Sequence, residues 1–153
     1  MRLCGGQKKK QDKITLFEKR YEIYETLCTC YYFSSIIESI TKKSLLKSSF
    51  LLAFYPSIGS NDLLNEAVQN EKIYIIYNQI LFQFKQAKLL FPGNYTQHLD
   101  SIVQELGPLL RCKENAAKEF LERKQSYIRI MNSSQIHRMI QSMKEELDLS
   151  TIG

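Results

Sequence analysis

Glycine, proline, histidine and tryptophan are all scarce in this chain. Its 153 residues include 6 glycines, 3 prolines, 2 histidines and no tryptophan. Because glycine and proline interrupt regular structure, their scarcity favours long helices and excludes a collagen-like or low-complexity chain. No apolar run approaches the roughly 20 residues of a transmembrane helix, and residues 1–6 contain no hydrophobic signal segment. We therefore expect a folded helical domain without a membrane span or a secretory leader.

The 4 cysteines, Cys4, Cys28, Cys30 and Cys112, do not form a recognisable ligand set. A structural zinc site needs paired Cys or His residues at close spacing, whereas a single residue separates Cys28 from Cys30 and no second pair follows. The spacing therefore predicts reduced cysteines in a cytosolic protein, with no metal and no other cofactor.

The net charge of +5 is carried entirely by the first 20 residues. They contain seven basic and two acidic side chains, which leaves fourteen of each sign in the remainder. A nucleic-acid-binding domain usually spreads its basic residues over a face or groove, so nucleic acid is possible but not favoured as a partner. A basic end beside a neutral body is typical of a segment that touches the anionic cytoplasmic face of a membrane, at about 1 kcal/mol per residue. The predicted contact residues are Arg2, Lys8, Lys9, Lys10 and Lys13.

Helical periodicity predicts an all-α, single-domain antiparallel helical bundle with one long central helix. The central helix covers residues 73–91 and ends at Pro92-Gly93. Its apolar residues at three-and-four spacing predict one buried stripe: Ile73, Ile76, Tyr77, Ile80, Phe84, Ala87 and Phe91. A second apolar set predicts further helices packed on its other side: Ile75, Leu81, Phe82, Leu89 and Leu90.

The rest of the chain divides into a disordered basic leader (1–11), the bundle (12–147) and a frayed tail (148–153). The first helix begins at Asp12. Its predicted core stripe is Ile14, Phe17, Tyr21, Tyr24, Cys28 and Tyr31, continued by Phe33, Ile36, Ile37 and Ile40. Residues 45–55 are predicted to form a short helix, because the sequence contains no second strand pattern with which they could pair as a strand. Helical pattern runs from Asp62 into the central helix, with a bend near residues 69–72. Gly107-Pro108 is expected to stop or kink the following helix.

Catalytic residues are hard to nominate from this sequence, and we assign none. No nucleophile stands in a recognisable elbow beside His98 or His137, and the chain has neither a Gly-rich phosphate loop nor a Glu-x-x-His pair. Arg129 and His137 resemble the arginine and histidine of the helical HEPN ribonucleases. That family usually places four to six residues between the two, with a polar residue after the arginine, whereas here seven intervene and Ile130 follows. The resemblance implies a ribonuclease that uses Arg129 and His137.

The 9 tyrosines raise the alternative of a stacking platform for single-stranded nucleic acid. Tyr21, Tyr24, Tyr31 and Tyr77 all fall on predicted core stripes. The sequence therefore favours amphipathic core aromatics with the hydroxyl group at the rim.

Residues 16–25, with the sequence LFEKRYEIYE, resemble the opening of a group of uncharacterised bacterial proteins. In those proteins the similar segment directly follows a transmembrane helix and a short basic stretch. A later helix of theirs ends in a Phe-Pro turn similar to Phe91-Pro92 here. The resemblance implies a helical cytoplasmic domain next to the inner membrane face, with no activity to transfer. We therefore expect a non-enzymatic interaction module, with a protein partner or a second copy of itself, and keep a nucleic-acid-binding protein or a HEPN-like ribonuclease as alternatives.

Overall fold

A computed structural model describes residues 5–113 and 115–152, with side chains from residue 12 to 148 except 114. Within these limits every element of regular structure is a helix and no strand is present, which confirms the predicted all-α helical bundle. No described helix combines the length and the apolar character needed to cross a membrane. The helices are α1 (Gly5–Ile37), α2 (Lys43–Phe54), α3 (Ser60–Leu64), α4 (Glu66–Leu90), α5 (Thr96–Arg111), α6 (Ala117–Met131) and α7 (Ser134–Ile152).

The long helix α1 contacts α2, α4, α6 and α7, so the bundle is assembled around it. It runs antiparallel to α4, because Arg20 bonds to the carbonyl of Leu90 while Thr26, further along α1, bonds to Gln83. It also runs antiparallel to α7, where the ring of Tyr31 meets that of His137 near the start of that helix. These pairings match the predicted antiparallel arrangement.

The buried stripe of α1 differs from the predicted one. Tyr21 and Tyr31 are exposed, and Ile14 is exposed as well. A stripe without tyrosines fills the core instead, since it buries no hydroxyl group that would need a partner. It runs through Ile23, Leu27 and Cys30 and joins the predicted Phe33 and Ile37.

The two ends of the chain are more helical than expected. α1 begins at Gly5 and α7 continues to Ile152, so residues 5–11 and 148–152 are helical rather than a disordered leader and a frayed tail. Residues 7–11 are Gln and Lys, which are good helix formers. Extending a helix that is already nucleated by packing costs little, and this explains the correction. Residues 1–4 and 153 lie outside the described part of the chain.

The predicted central helix is α4, but the longer α1 takes the central position, and α4 buries the face that periodicity predicts. Ile73, Ile80, Phe84 and Ala87 lie in the core. The break before α4 occurs at Asn65, not near residues 69–72, because the Asn65 side chain accepts a bond from the Val68 N–H at 3.1 Å and caps the helix.

Two further expectations about helix boundaries have opposite outcomes. The segment expected as a short helix rather than a strand is α2, as predicted. α5 passes through Pro108 and ends only at Arg111, so Gly107-Pro108 does not stop it.

Side-chain hydrogen bonds tie the last helices to the rest of the bundle. Buried Lys124 of α6 donates to the carbonyl oxygen of Ile40 at 2.8 Å, just past the end of α1. Glu146 of α7 accepts bonds from the Gly93 N–H at 3.0 Å and from the Tyr95 hydroxyl at 2.8 Å. These contacts fix α7 against the turn that joins α4 to α5.

Candidate interaction site

From Glu71 onward, the side of α4 that points away from the core carries seven exposed residues in one sector of the helix. At 100° per residue they fall within about 120° of one another, on the side opposite Ile73 and Phe84. We call this set the outward face: Glu71, Tyr74, Ile75, Asn78, Phe82, Lys85 and Leu89.

Large apolar side chains dominate the outward face. Tyr74 is 70% exposed, Ile75 47%, Phe82 61% and Leu89 80%. Three of them had been predicted to pack beneath further helices, and that prediction is wrong for Ile75, Phe82 and Leu89. Other helices of the bundle cover α4 on one side only. A contiguous row of exposed apolar residues on a folded domain marks an interaction surface more often than isolated exposed residues do.

A shallow groove runs beside the outward face, between α4 and α1. It encloses about 660 Å³ and is lined by Ile75, Phe82, Gln79 and Gln83 of α4 and by Glu22 of α1, with Tyr74 and Asn78 at its edge. The groove can accept an apolar side chain from a partner, with amide groups at the rim to hydrogen-bond.

The polar residues of the outward face follow a regular order. Glu71, Asn78 and Lys85 are spaced seven residues apart, so all three lie on nearly the same line along the helix. Among the residues that the structure describes, none pairs with Glu71 or Lys85 in a salt bridge. The face therefore presents a negative end, a neutral centre and a positive end.

Four of the five residues predicted to contact a membrane lie in the first part of α1. Lys8, Lys9 and Lys10 occupy the first turns of α1, and Lys13 is exposed one turn later. Arg2 and the side chains of Lys8, Lys9 and Lys10 lie outside the described residues. Arg20 bonds to the last carbonyl of α4. The part of α1 that precedes Arg20 therefore extends about 22 Å past the end of α4, at 1.5 Å per residue.

Among the described residues, no hydrogen bond or ring contact joins Arg129 to His137. His137 lies edge-on against Tyr31, with ring centroids 5.3 Å apart, and lines a shallow hollow with Cys28 and Ile140. Arg129 is exposed on α6 and takes no part in that hollow. The alternative of a HEPN-like ribonuclease has no assembled site in its favour.

The three cysteines that the structure describes lie where a thiolate is disfavoured. Cys28, Cys30 and Cys112 are free thiols, and burial raises the pKa of Cys30 to about 12. Burial likewise raises the pKa of Cys28 and of Cys112. A protonated, buried thiol is a poor nucleophile and a poor metal ligand. Within the described residues, no cluster of three or more His, Cys, Asp or Glu side chains could hold a metal ion.

Tyrosines of α1 form a second surface feature, and two of them had been predicted to lie in the core. Tyr21, Tyr24 and Tyr32 line a hollow together with Glu25 and Thr29. The pKa of Tyr21 is raised, chiefly by its hydrogen bond to Glu25. The acidic neighbour repels phosphate groups, so this patch is unsuited to binding a nucleic-acid strand.

Comparison of the chain with protein-family models, with curated proteins and with solved structures finds no match. The likeness of residues 16–25 to membrane-proximal bacterial sequences accordingly stays a resemblance.

Proposed function

We propose that this protein is a non-enzymatic interaction module that binds a protein partner through the outward face of α4. The observation that carries the proposal is the exposure of Ile75, Phe82 and Leu89 along one line of a helix whose other side packs against the core. Exposing such a row costs free energy in the isolated chain, at about 25 cal/mol per Å² of apolar surface. A partner that covers the row recovers this free energy.

Site-specific photocrosslinking in cells that make the protein tests this proposal. A photoreactive phenylalanine analogue replaces Phe82, and a matched protein carries the analogue at Leu121, which is 47% exposed on α6. We expect covalent adducts from position 82 that disappear when Ile75→Glu is added, and none from position 121. Equal labelling from both positions, or none from position 82, would refute docking through the outward face.

A second role, weak attachment to an anionic membrane surface, is favoured by the extension of α1. The lysines of its first turns lie beyond the end of α4, so they can approach an anionic surface ahead of that helix. Each basic residue near an anionic bilayer contributes about 1 kcal/mol, and the sum supports reversible binding at low salt.

Vesicle co-sedimentation tests this second role. The full chain should pellet with phosphatidylserine-containing vesicles at low salt, not with neutral phosphatidylcholine vesicles, and release as salt rises. Lys8, Lys9 and Lys10 changed together to glutamine should abolish pelleting, whereas changing the exposed residues Lys113, Lys118 and Arg123 to glutamine should not. Equal binding by the two triple variants would rule out the α1 extension as the contact.

A further inference from the structure

We infer that the partner of the outward face is a second copy of this chain, bound antiparallel about a two-fold axis that passes near Asn78. This inference rests on the proposed use of the outward face and names its occupant.

The outward face is self-complementary when two copies of it are placed antiparallel. Glu71 precedes Asn78 by seven residues and Lys85 follows it by seven, so both lie about 10.5 Å from Asn78 along the helix axis. A two-fold rotation about Asn78 therefore places Glu71 of each copy at the level of Lys85 of the other. Two opposite-charge contacts form, from carboxylate and ammonium groups that have no salt-bridge partner among the described residues of their own chain.

The apolar residues obey the same symmetry. Ile75 lies three residues before Asn78 and Phe82 lies four residues after it, so Ile75 of one copy meets Phe82 of the other at nearly the same height. The groove between α4 and α1 receives this Phe82, because Ile75 and Gln79 line it. An isologous interface of this kind uses one self-complementary patch twice, which is the commonest way that soluble proteins form dimers.

A parallel arrangement is disfavoured by the same residues. It would place Glu71 beside Glu71 and Lys85 beside Lys85, and like charges at close range repel. An unrelated partner would have no reason to match the spacing of seven residues on both sides of Asn78. The charge order therefore selects the antiparallel homodimer.

Sedimentation equilibrium of the full chain over micromolar to sub-millimolar concentrations tests the inference. The wild-type chain should reach dimer mass, and Phe82→Glu should remain monomeric with an unchanged helical circular-dichroism spectrum. Glu71→Lys and Lys85→Glu should each weaken dimerisation by about threefold to tenfold, and the double variant should regain wild-type affinity because both contacts are reversed together. Lys118→Glu on α6 makes the same charge change outside the face and should have no effect.

Cysteine crosslinking tests the position of the axis. In a background with Cys4 and Cys28 changed to serine, oxidation should join two chains that carry Asn78→Cys. Chains that all carry Glu71→Cys should not join, since the two positions lie about 21 Å apart across the axis. A mixture of Glu71→Cys and Lys85→Cys chains should join.

The failures of the two proposals are distinguishable. A chain that is monomeric at every concentration, yet gives adducts of a different protein from position 82, refutes the homodimer and leaves the interaction module standing. A monomer with no adduct at position 82 refutes both. A dimer that survives Phe82→Glu, or charge variants without rescue in the double variant, refutes the antiparallel outward-face contact.

Discussion

The hydroxyl group of Tyr127 on α6 donates a hydrogen bond of 2.6 Å to the backbone carbonyl of Cys30 in α1. Both residues are completely buried, and the ring of Tyr127 also lies 5.9 Å from that of Phe33. A buried hydroxyl group needs such a partner, because leaving it unpaired costs several kcal/mol. The bond thus fixes α6 in one position against the central part of α1.

Removal of the Tyr127 hydroxyl should destabilise the fold by a modest amount. Tyr127→Phe deletes the donor and keeps the ring, so we expect a loss of about 1 kcal/mol in the free energy of unfolding, measured by urea denaturation. Tyr32→Phe, at a residue that is 59% exposed, serves as the control and should be neutral. Equal stability of Tyr127→Phe and the wild-type chain would show that the bond makes no net contribution.

Stability should fall in alkaline solution, starting near pH 9. Burial raises the pKa of Cys30 from 9.0 to about 12 and raises that of Tyr127 well above 10.0. Because the folded state holds these protons more tightly than the unfolded state, their contribution is complete below pH 9 and declines as the pH rises. Each group lowers the free energy of unfolding by up to about 1.4 kcal/mol per pH unit. Urea midpoints measured from pH 8 to pH 11 should show this decline, and Cys30→Ala should make it shallower.

Two glycines at turns should respond differently to alanine. A Cβ at Gly93 would lie 2.5 Å from the Tyr95 hydroxyl oxygen and 2.8 Å from Glu146 Oε1, so Gly93→Ala must displace the contact that holds α7. We expect a loss of about 1–3 kcal/mol, the usual range for overpacking. Nothing lies within 4 Å of a Cβ at Gly59, so Gly59→Ala should change the stability by less than about 0.5 kcal/mol. Similar thermal midpoints for the two variants would mean that the turn at Gly93 accommodates the added Cβ without a loss of stability.

The sequence predicts the burial of the inner side of α4 correctly and the burial of its outer side wrongly. Spacing of three and four identified Ile73, Ile80 and Phe84 as core, and the structure buries all three. The same kind of apolar pattern at Ile75 and Phe82 was interpreted as a second buried side. Periodicity shows which residues share a face of a helix, but it cannot show whether another element covers that face. The residues of the proposed interaction site were therefore present in the sequence pattern, where they were interpreted as core.

The error on α1 has a related cause. Two stripes with helical spacing lie side by side on that helix, one containing Tyr21 and Tyr31 and the other Ile23 and Leu27. Tyrosines count as apolar residues in a helical pattern, but their hydroxyl groups favour positions at the surface. Only the positions of the neighbouring helices decide which stripe is buried, and these positions depend on contacts distant in the sequence.

The comparison that tests the account most directly uses two phenylalanines of α4 that are two residues apart. Phe82 is 61% exposed on the outward face, and Phe84 is 5% exposed in the core. At a protein concentration low enough to keep the chain monomeric, Phe84→Ala should lower the free energy of unfolding by about 3–5 kcal/mol, and Phe82→Ala should change it by less than about 0.5 kcal/mol. At high concentration, only Phe82→Ala should impair association while the fold remains intact. Equal losses of stability in the two variants at low concentration would contradict the account, because Phe82 would then belong to the core and not to an interface.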